Sequence, residues 1–302
     1  MGPSGGNAEV VIRAPAKVNL ALEVLRRRRD GFHEVRTVLQ TISLCDRIRL
    51  KRAGKGLRLR CRNFPDSGPS NLAWQAADLF LRRVRPRGGL EIELEKRIPV
   101  GGGLGGGSSD AAAVLLGACR LFGVRPDTED LLQWAAELGS DVPFFILGGT
   151  ALGRGRGERI EPLPPGDFQA AVLLYSPGFA CPTAALYRAW RPTALTRGGD
   201  RLTLFIRHWK KRDIRALGGS LFNDLEGVVF HLHPGLAEVR KRLLEAGAAG
   251  ARVSGSGSCL FGLFISKEEA RGAAKGLRRD LPGRIVAADF LSSRKRWGVV
   301  KR

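Results

Sequence analysis

Apolar residues occupy every second position from Val18 through Leu20 and Leu22 to Val24, inside a segment spanning 9–24 that reads as a β-strand. The same alternation sends Lys17 and Asn19 to the opposite side, setting an amine and an amide next to each other above a sheet. A second strand pattern covers 35–50 and breaks near Asp46. A third, Leu90-Glu91-Ile92-Glu93-Leu94-Glu95, alternates apolar with acidic residues and predicts a strand buried on one face only. Between them Leu72, Ala76, Leu79 and Phe80 recur at helical spacing, with Asn71 at the N-cap and Pro86 beyond the end. Further helices are expected from Ala111 to Phe122, closed by Gly123, and from Thr128 to Leu138, closed by Gly139. Asp141 follows, where the chain leaves that helix and meets an apolar segment.

Glycine, proline and charge accumulate over 154–166, which divides the chain into residues 1–164 and 165–302. The second part predicts a strand over 170–175, a loop carrying Pro182 and Thr183, and helices over 202–211 and 236–245. A strand ending at Val253 precedes Ser254-Gly255-Ser256-Gly257-Ser258. The apolar run 259–265 then leads to Ser266, with Glu269 three residues on, a capping box that opens another helix. The layout is α+β, with helices covering mixed or antiparallel sheets.

The segment Pro99-Val100-Gly101-Gly102-Gly103-Leu104-Gly105-Gly106-Gly107-Ser108-Ser109 feeds directly into the helix that begins near Asp110. Glycines allow close approach of backbone to an anion, and the first N–H groups of the following helix point at it, so the segment reads as a polyphosphate cradle for a nucleotide. Ser108 or Ser109 is the expected N-cap. No Gly-Lys-Ser/Thr follows, so this is not a Walker loop. The spacing of Gly101, Gly103 and Gly106 fits a dinucleotide fingerprint, but that motif needs a preceding strand buried on both faces, unlike 90–95.

At 302 residues, with 43% hydrophobic and 26% charged residues, the chain can bury a substantial core and is long enough for two domains. No stretch reaches the length of a membrane span and the start carries no signal sequence, so a soluble, cytoplasmic protein without membrane partners is expected. Cys45, Cys61, Cys119, Cys181 and Cys259 are dispersed and odd in number, as reduced thiols are. The net charge of +21 raises nucleic acid as a partner. Its densest runs, Arg26-Arg27-Arg28-Arg29 and the tail Arg294-Lys295-Arg296 with Lys301-Arg302, lack the interleaved aromatics of specific RNA binders. They read as a solvated hairpin tip and terminus, leaving an RNA-binding protein as the alternative of a different class.

Ala14-Pro15-Ala16-Lys17-Val18-Asn19, the glycine segment and Ser254-Gly255-Ser256-Gly257-Ser258, in that order, resemble the three motifs of the GHMP kinases. Asp30-Gly31-Phe32-His33 and Gly139-Ser140-Asp141-Val142-Pro143-Phe144 narrow the resemblance to the branch whose alcohol substrate is a cytidylyl diphosphate of methylerythritol. Another small-molecule alcohol kinase of the family is the nearer alternative. The resemblance implies an N-terminal domain like the second domain of ribosomal protein S5 and a ferredoxin-like C-terminal domain. It also implies ATP, with Mg²⁺ whose protein ligands are not readable, a small-molecule partner, and a monomer or weak homodimer. Carried over residue by residue, Asp141 is the base, Lys17 holds it and the attacking oxygen, and Pro99 to Ser109 hold the nucleotide. Asn19 bonds the substrate near the reacting hydroxyl, His33 pairs with the cytosine edge, and Phe32, Thr183 and Tyr187 complete the site. Phe32 departs from the family's Tyr, which keeps a stacking ring and loses the phenol.

Overall fold

A computed structural model describes residues 9–165, 170–192 and 201–292. The alternation read in the first segments produces a long antiparallel pair, β1 (Glu9–Arg27) and β2 (His33–Ala53). The break near Asp46 is not a strand end. Cys45 lies opposite Pro15 while Ile42 lies opposite Ala16, so β2 carries a bulge there. The Asp46 side chain turns inward, where Oδ1 accepts from the N–H groups of Arg97 (2.5 Å) and Ile98 (2.8 Å).

The first sheet runs β3 (Leu57–Arg62), β4 (Gly89–Glu95), β2, β1, β8 (Phe222–Asn223), with β5 (Thr150–Arg154) paired to β2 and β6 (Arg159–Pro162) paired to β5. It is mixed, because β3 and β4 are parallel, as are β1 and β8. Helices α1 (Leu72–Val84), α2 (Gly106–Phe122), α3 (Thr128–Leu138) and α4 (Val142–Leu147) share one core with this sheet, built around Ile48, Leu50, Ile92, Phe80, Leu115 and Phe144. The alternating acidic positions of β4 face outward from that core, as the half-exposed pattern requires.

The second sheet has the order β11 (Arg284–Asp289), β7 (Ala171–Ser176), β10 (Leu260–Phe264), β9 (Gly250–Val253), every pair antiparallel. In chain order this is 4-1-3-2, the ferredoxin-like arrangement. Helices α9 (Gly235–Glu245) and α10 (Lys267–Asp280) pack on it, and Ser266 Oγ accepts from the N–H of Glu269 as the capping box requires. Also in this part are α5 (Thr183–Ala189), α6 (Arg201–Lys211), α7 (Ile214–Gly219) and α8 (Glu226–Leu232). Together the two parts form a two-domain α+β fold.

Three local expectations need correction. Helix α2 starts at Gly106, its N-cap is Gly105 at φ +69°, and neither Ser108 nor Ser109 caps it. Gly105 wins because a left-handed residue is needed where the loop turns into the helix, which carries the two serines into its first turn. The segment around Pro182 and Thr183 is not a loop throughout, since Thr183 opens α5 with Pro182 at the N-cap. Much of the glycine- and charge-rich stretch after Arg154 is ordered as the β5–β6 hairpin. The basic tail from Arg294 lies outside the described residues, among which no helix is long and apolar enough to cross a membrane.

Candidate active site

Strand β1 delivers Lys17 and Asn19 on one face, as their spacing predicts, but that face is covered rather than solvated: Lys17 is only 3% exposed. Lys17 Nζ donates to Asn19 Oδ1 (2.6 Å) and to the Gly103 carbonyl (2.8 Å), and lies 3.4 Å from Asp141 Oδ2. A buried ammonium is tolerable only with such partners. Asn19 Nδ2 in turn donates to Thr37 Oγ1 (2.8 Å), whose hydroxyl donates to the Ala21 carbonyl (2.7 Å). Asn19 therefore orients the lysine and keeps one N–H and one lone pair in reserve.

Asp141 occupies the N-cap position of α4 without making a side-chain cap bond, so its carboxylate is directed to the cleft, with the side chain 34% exposed. That cleft, about 1120 Å³, runs from Lys17, Asp141 and the glycine loop to an aromatic end. There His33 stacks on Tyr187 (centroids 5.2 Å apart) and meets Trp190 edge-on (5.9 Å). Burial, and then the positive charge of Arg27, lower the His33 pKa, favouring the neutral imidazole with one donor and one acceptor. Burial, helped by the Asp141 carboxylate, raises the Tyr187 phenol, which stays protonated. Phe32 is 53% exposed, so it is no core aromatic. Thr183 Oγ1 sits 2.8 Å from Ser256 Oγ, tying α5 to the serine-glycine loop.

A second cavity of about 520 Å³ is lined by Pro99, Val100, Gly101 to Gly107 and Ser108, together with Phe64, Leu72 and Lys96. Ser109 does not line it; its hydroxyl is buried without a hydrogen-bond partner, and its N–H donates to the Gly105 carbonyl. The N–H groups of Gly106, Gly107 and Ser108 belong to the first helical turn, where no carbonyl four residues back is available. Several glycines are also dictated by packing: a Cβ on Gly103 would strike the Ser254 carbonyl at 2.0 Å, and one on Gly102 would strike Cys259 Sγ at 2.3 Å. Beneath the loop Lys96 Nζ bridges Asp46 Oδ2 (2.5 Å) and Asp110 Oδ2 (2.6 Å).

Apart from Ser109, the chemistry-bearing residues proposed from the sequence thus collect in two adjoining cavities. The sequence pointed to neither Arg156 nor Trp190. Arg156 lies in the β5–β6 turn with its guanidinium over the Phe32 ring (5.0 Å), and its Nε is buried without a hydrogen-bond partner. Its only signal was a place in a glycine- and charge-rich stretch, which reads equally well as a linker. Of the arginine run, Arg28 pairs with Asp30 (3.0 Å) and Glu34 (2.8 Å), while Arg27 lines the large cleft.

A glycine loop beside a buried lysine that pairs with a partly exposed aspartate, on this two-sheet framework, is the arrangement of a small-molecule kinase. The model of the GHMP kinases N-terminal domain matches residues 71–149 and that of the GHMP kinases C-terminal region matches 205–283, so the class is the GHMP kinases. The 4-diphosphocytidyl-2-C-methyl-D-erythritol kinase of Geobacter metallireducens is 42% identical over 288 residues, covering 93% of this chain and 99% of that one. The same-named kinase of Pelotomaculum thermopropionicum is 42% identical over 283 residues, covering 92% and 96%. A crystal structure of a 4-(cytidine 5'-diphospho)-2C-methyl-D-erythritol kinase superposes with TM-score 0.78 at 40% identity, covering 93% of this chain and 98% of that one. The chain belongs to this kinase family. Homoserine kinase from Cytophaga hutchinsonii, at 22% identity and TM-score 0.79, shares the fold.

Proposed function

We propose that the chain transfers the γ-phosphoryl group of ATP to the 2-hydroxyl of 4-diphosphocytidyl-2-C-methyl-D-erythritol, giving the 2-phosphate and ADP, in the non-mevalonate route to isoprenoid precursors. The observation that carries the reading is the Lys17–Asp141 pair, 3.4 Å apart, at the junction of the glycine-lined cavity and the cleft that ends in aromatic rings. The relatives' names supply the substrate. Asp141 accepts the hydroxyl proton while Lys17, held by Asn19 and Gly103, fixes the carboxylate and offsets negative charge on the attacking oxygen. Phosphoryl transfer asks for positioning and electrostatics rather than covalent help, and both are present.

Backbone N–H groups at the start of α2 receive the nucleotide phosphates, and Pro99 to Ser108 form their cradle. Ser109 supports the turn from beneath. Mg²⁺ neutralises the β- and γ-phosphates when the nucleotide binds. Among the described residues no group of three or more carboxylate, histidine or cysteine ligands exists to hold it. The site still fits a cation held mainly by the nucleotide phosphates and water. At the other end Phe32 and Tyr187 offer rings to cytosine, neutral His33 reads its edge, and Asn19 and Thr183 contact the rest of the substrate. Residues 1–164 constitute the ATP-binding domain and 165–302 the domain that completes the substrate site. The chain works in the cytoplasm as a monomer or weak homodimer, with no nucleic acid as its specific partner.

The test is phosphorus NMR of the purified chain with ATP, Mg²⁺ and a panel of alcohols that includes the cytidylyl compound, its uridylyl analogue, methylerythritol phosphate, mevalonate and homoserine. A new phosphomonoester signal on the cytidylyl compound alone is the expected result. Turnover of mevalonate or homoserine in its place refutes the substrate assignment.

A further inference from the structure

Lys17 is held by Asn19, the Gly103 carbonyl and Asp141, and the serine-glycine loop closes over it. A Cβ placed on Gly255 would lie 3.3 Å from Lys17 Nζ and 3.1 Å from Asn19 Oδ1, so this glycine roofs the lysine directly. Ser254 Oγ donates to the Gly103 carbonyl (3.0 Å), the same oxygen that accepts from Lys17. Where Gly255 sits therefore decides how tightly the ammonium is confined beside Asp141.

The loop does not hold itself in place. Asn223, 8% exposed, donates through Nδ2 to the carbonyls of Val253 and Gly255, both at 2.8 Å, and through Oδ1 accepts from the N–H of Leu225 at 2.9 Å. Both donors of one amide are thus spent on the two carbonyls that flank Ser254. Glu226 Oε2 accepts from the N–H of Val253 (3.0 Å) and Oε1 from Arg240 (3.0 Å). On its other side the same short segment grips β1. Asn223 is in parallel register with Leu22, Asp224 donates its N–H to the Leu22 carbonyl (3.0 Å), and Asp224 Oδ2 accepts from the N–H of Val24 (2.9 Å). One clasp ties the strand that carries Lys17 to the loop that covers it.

We propose that Asn223 is a positioning residue for phosphoryl transfer, fixing Gly255 against Lys17 through its amide. The proposal rests on the kinase reading above. An amide is required because two carbonyls must be satisfied at once: a carboxylate of the same shape donates nothing and sets negative charge against both oxygens. Released, Gly255 backs away and Lys17 gains freedom relative to Asp141. Misplacement by about 1 Å costs up to ~10²-fold in such chemistry. The cytosine end meets the clasp only through apolar packing of Tyr187 on the cluster of Leu22, Val24 and Leu225, while the Asn223 amide is spent on the carbonyls of Val253 and Gly255 and the N–H of Leu225.

Steady-state kinetics of the full-length Asn223→Asp variant, with ATP, Mg²⁺ and the cytidylyl alcohol, tests the proposal. The expected result is a fall in kcat of roughly 10- to 100-fold, with the KM of the cytidylyl alcohol within about threefold of the unaltered chain. Asn223→Ser, which keeps a cap for Leu225 but is too short to reach both carbonyls, carries the same expectation and serves where the aspartate variant does not accumulate folded. Asp224→Asn weakens the grip on β1 without touching the loop; it should lower the melting temperature and leave kcat within about threefold. A kcat unchanged in either folded Asn223 variant overturns the proposal, as does a loss shared equally by Asp224→Asn, which would mark the whole clasp as structural. Absence of turnover in the unaltered chain would instead refute the function itself.

Discussion

Replacing Lys17 with methionine keeps the apolar stem and removes the ammonium, and the structure allows both consequences to be sized. Of its three partners, the Gly103 carbonyl retains Ser254 Oγ as a donor, and Asp141 is exposed enough to be rehydrated. Only Asn19 Oδ1 loses a buried donor, which costs about 1–3 kcal/mol. Burying no charge at position 17 offsets part of that loss. For a chain this size the melting temperature should fall by no more than about 5–10 °C, at ~2–4 °C per kcal/mol. Turnover loses the group that steadies the base and offsets charge on the attacking oxygen, for which roughly 10²–10³ in kcat is expected. The assay is kcat and both KM values beside a thermal melt on the same preparation. A kcat within threefold of the unaltered chain refutes the role given to Lys17, and a melt that collapses together with activity refutes the claim that its contribution is chiefly chemical.

Asp141→Asn should lower kcat by about 10² or more while the KM for ATP stays close to normal, since the amide keeps the shape but cannot take the proton. Gly107→Ala is the cleanest probe of the loop, because its Cβ meets nothing nearer than Leu72 at 3.5 Å and alanine favours the helix. It should raise the KM for ATP and leave the melt unchanged or higher, whereas a Cβ at Gly105 would press on Phe145 and on Lys17 itself and blur the reading. His33→Ala should erase most of a cytosine-over-uracil preference of order 10² while Phe32→Tyr keeps or sharpens it, measured as the ratio of kcat/KM on the two analogues. Burial raises the Asp110 carboxyl above the ordinary aspartate value of 3.8 despite Lys96. The folded chain then holds a proton that the unfolded chain releases, so this group costs stability progressively as pH rises from about 3.8 through its native value. Asp110→Asn should accordingly melt higher than the unaltered chain at pH 7 by a margin that shrinks toward pH 4, and a margin independent of pH would refute the assignment.

Period-two patterning made β1 and β4 legible, and with β1 the pairing of Lys17 with Asn19, because a strand's alternation fixes side-chain direction without reference to the rest of the fold. The glycine run announced the phosphate cradle but not where its helix begins. Glycine accepts left-handed, helical and extended backbone alike, so Gly105 and Gly106 carry no local signal that separates cap from first turn. Tyr187 and Thr183, four residues apart, face the cleft from one helix, but seven residues with Pro182 at the cap leave too short a period to read as helix rather than loop. Asn223 was invisible for a different reason: its partners lie 30 and 32 residues away, and nothing in a two-residue strand marks it as one. Arg156 depended on a hairpin whose sequence has the composition of a linker.

The two-residue strand β8 has a consequence for the order in which the molecule can be assembled. It pairs with β1 at Ala21 and Leu22, and it comes from beyond residue 220, so a chain emerging from the ribosome keeps that part of the outer edge of its lysine-bearing strand open long after the Leu104 carbonyl has become available to the N–H of Lys17. An unpaired edge is a template for association with other chains. The same topology limits recombination. A hybrid that joins the first 164 residues of this protein to the remainder of a distant relative would exchange the strand that closes its own first sheet. Such hybrids should work only when the segment around Phe222 to Glu226 is inherited from the parent that supplies β1.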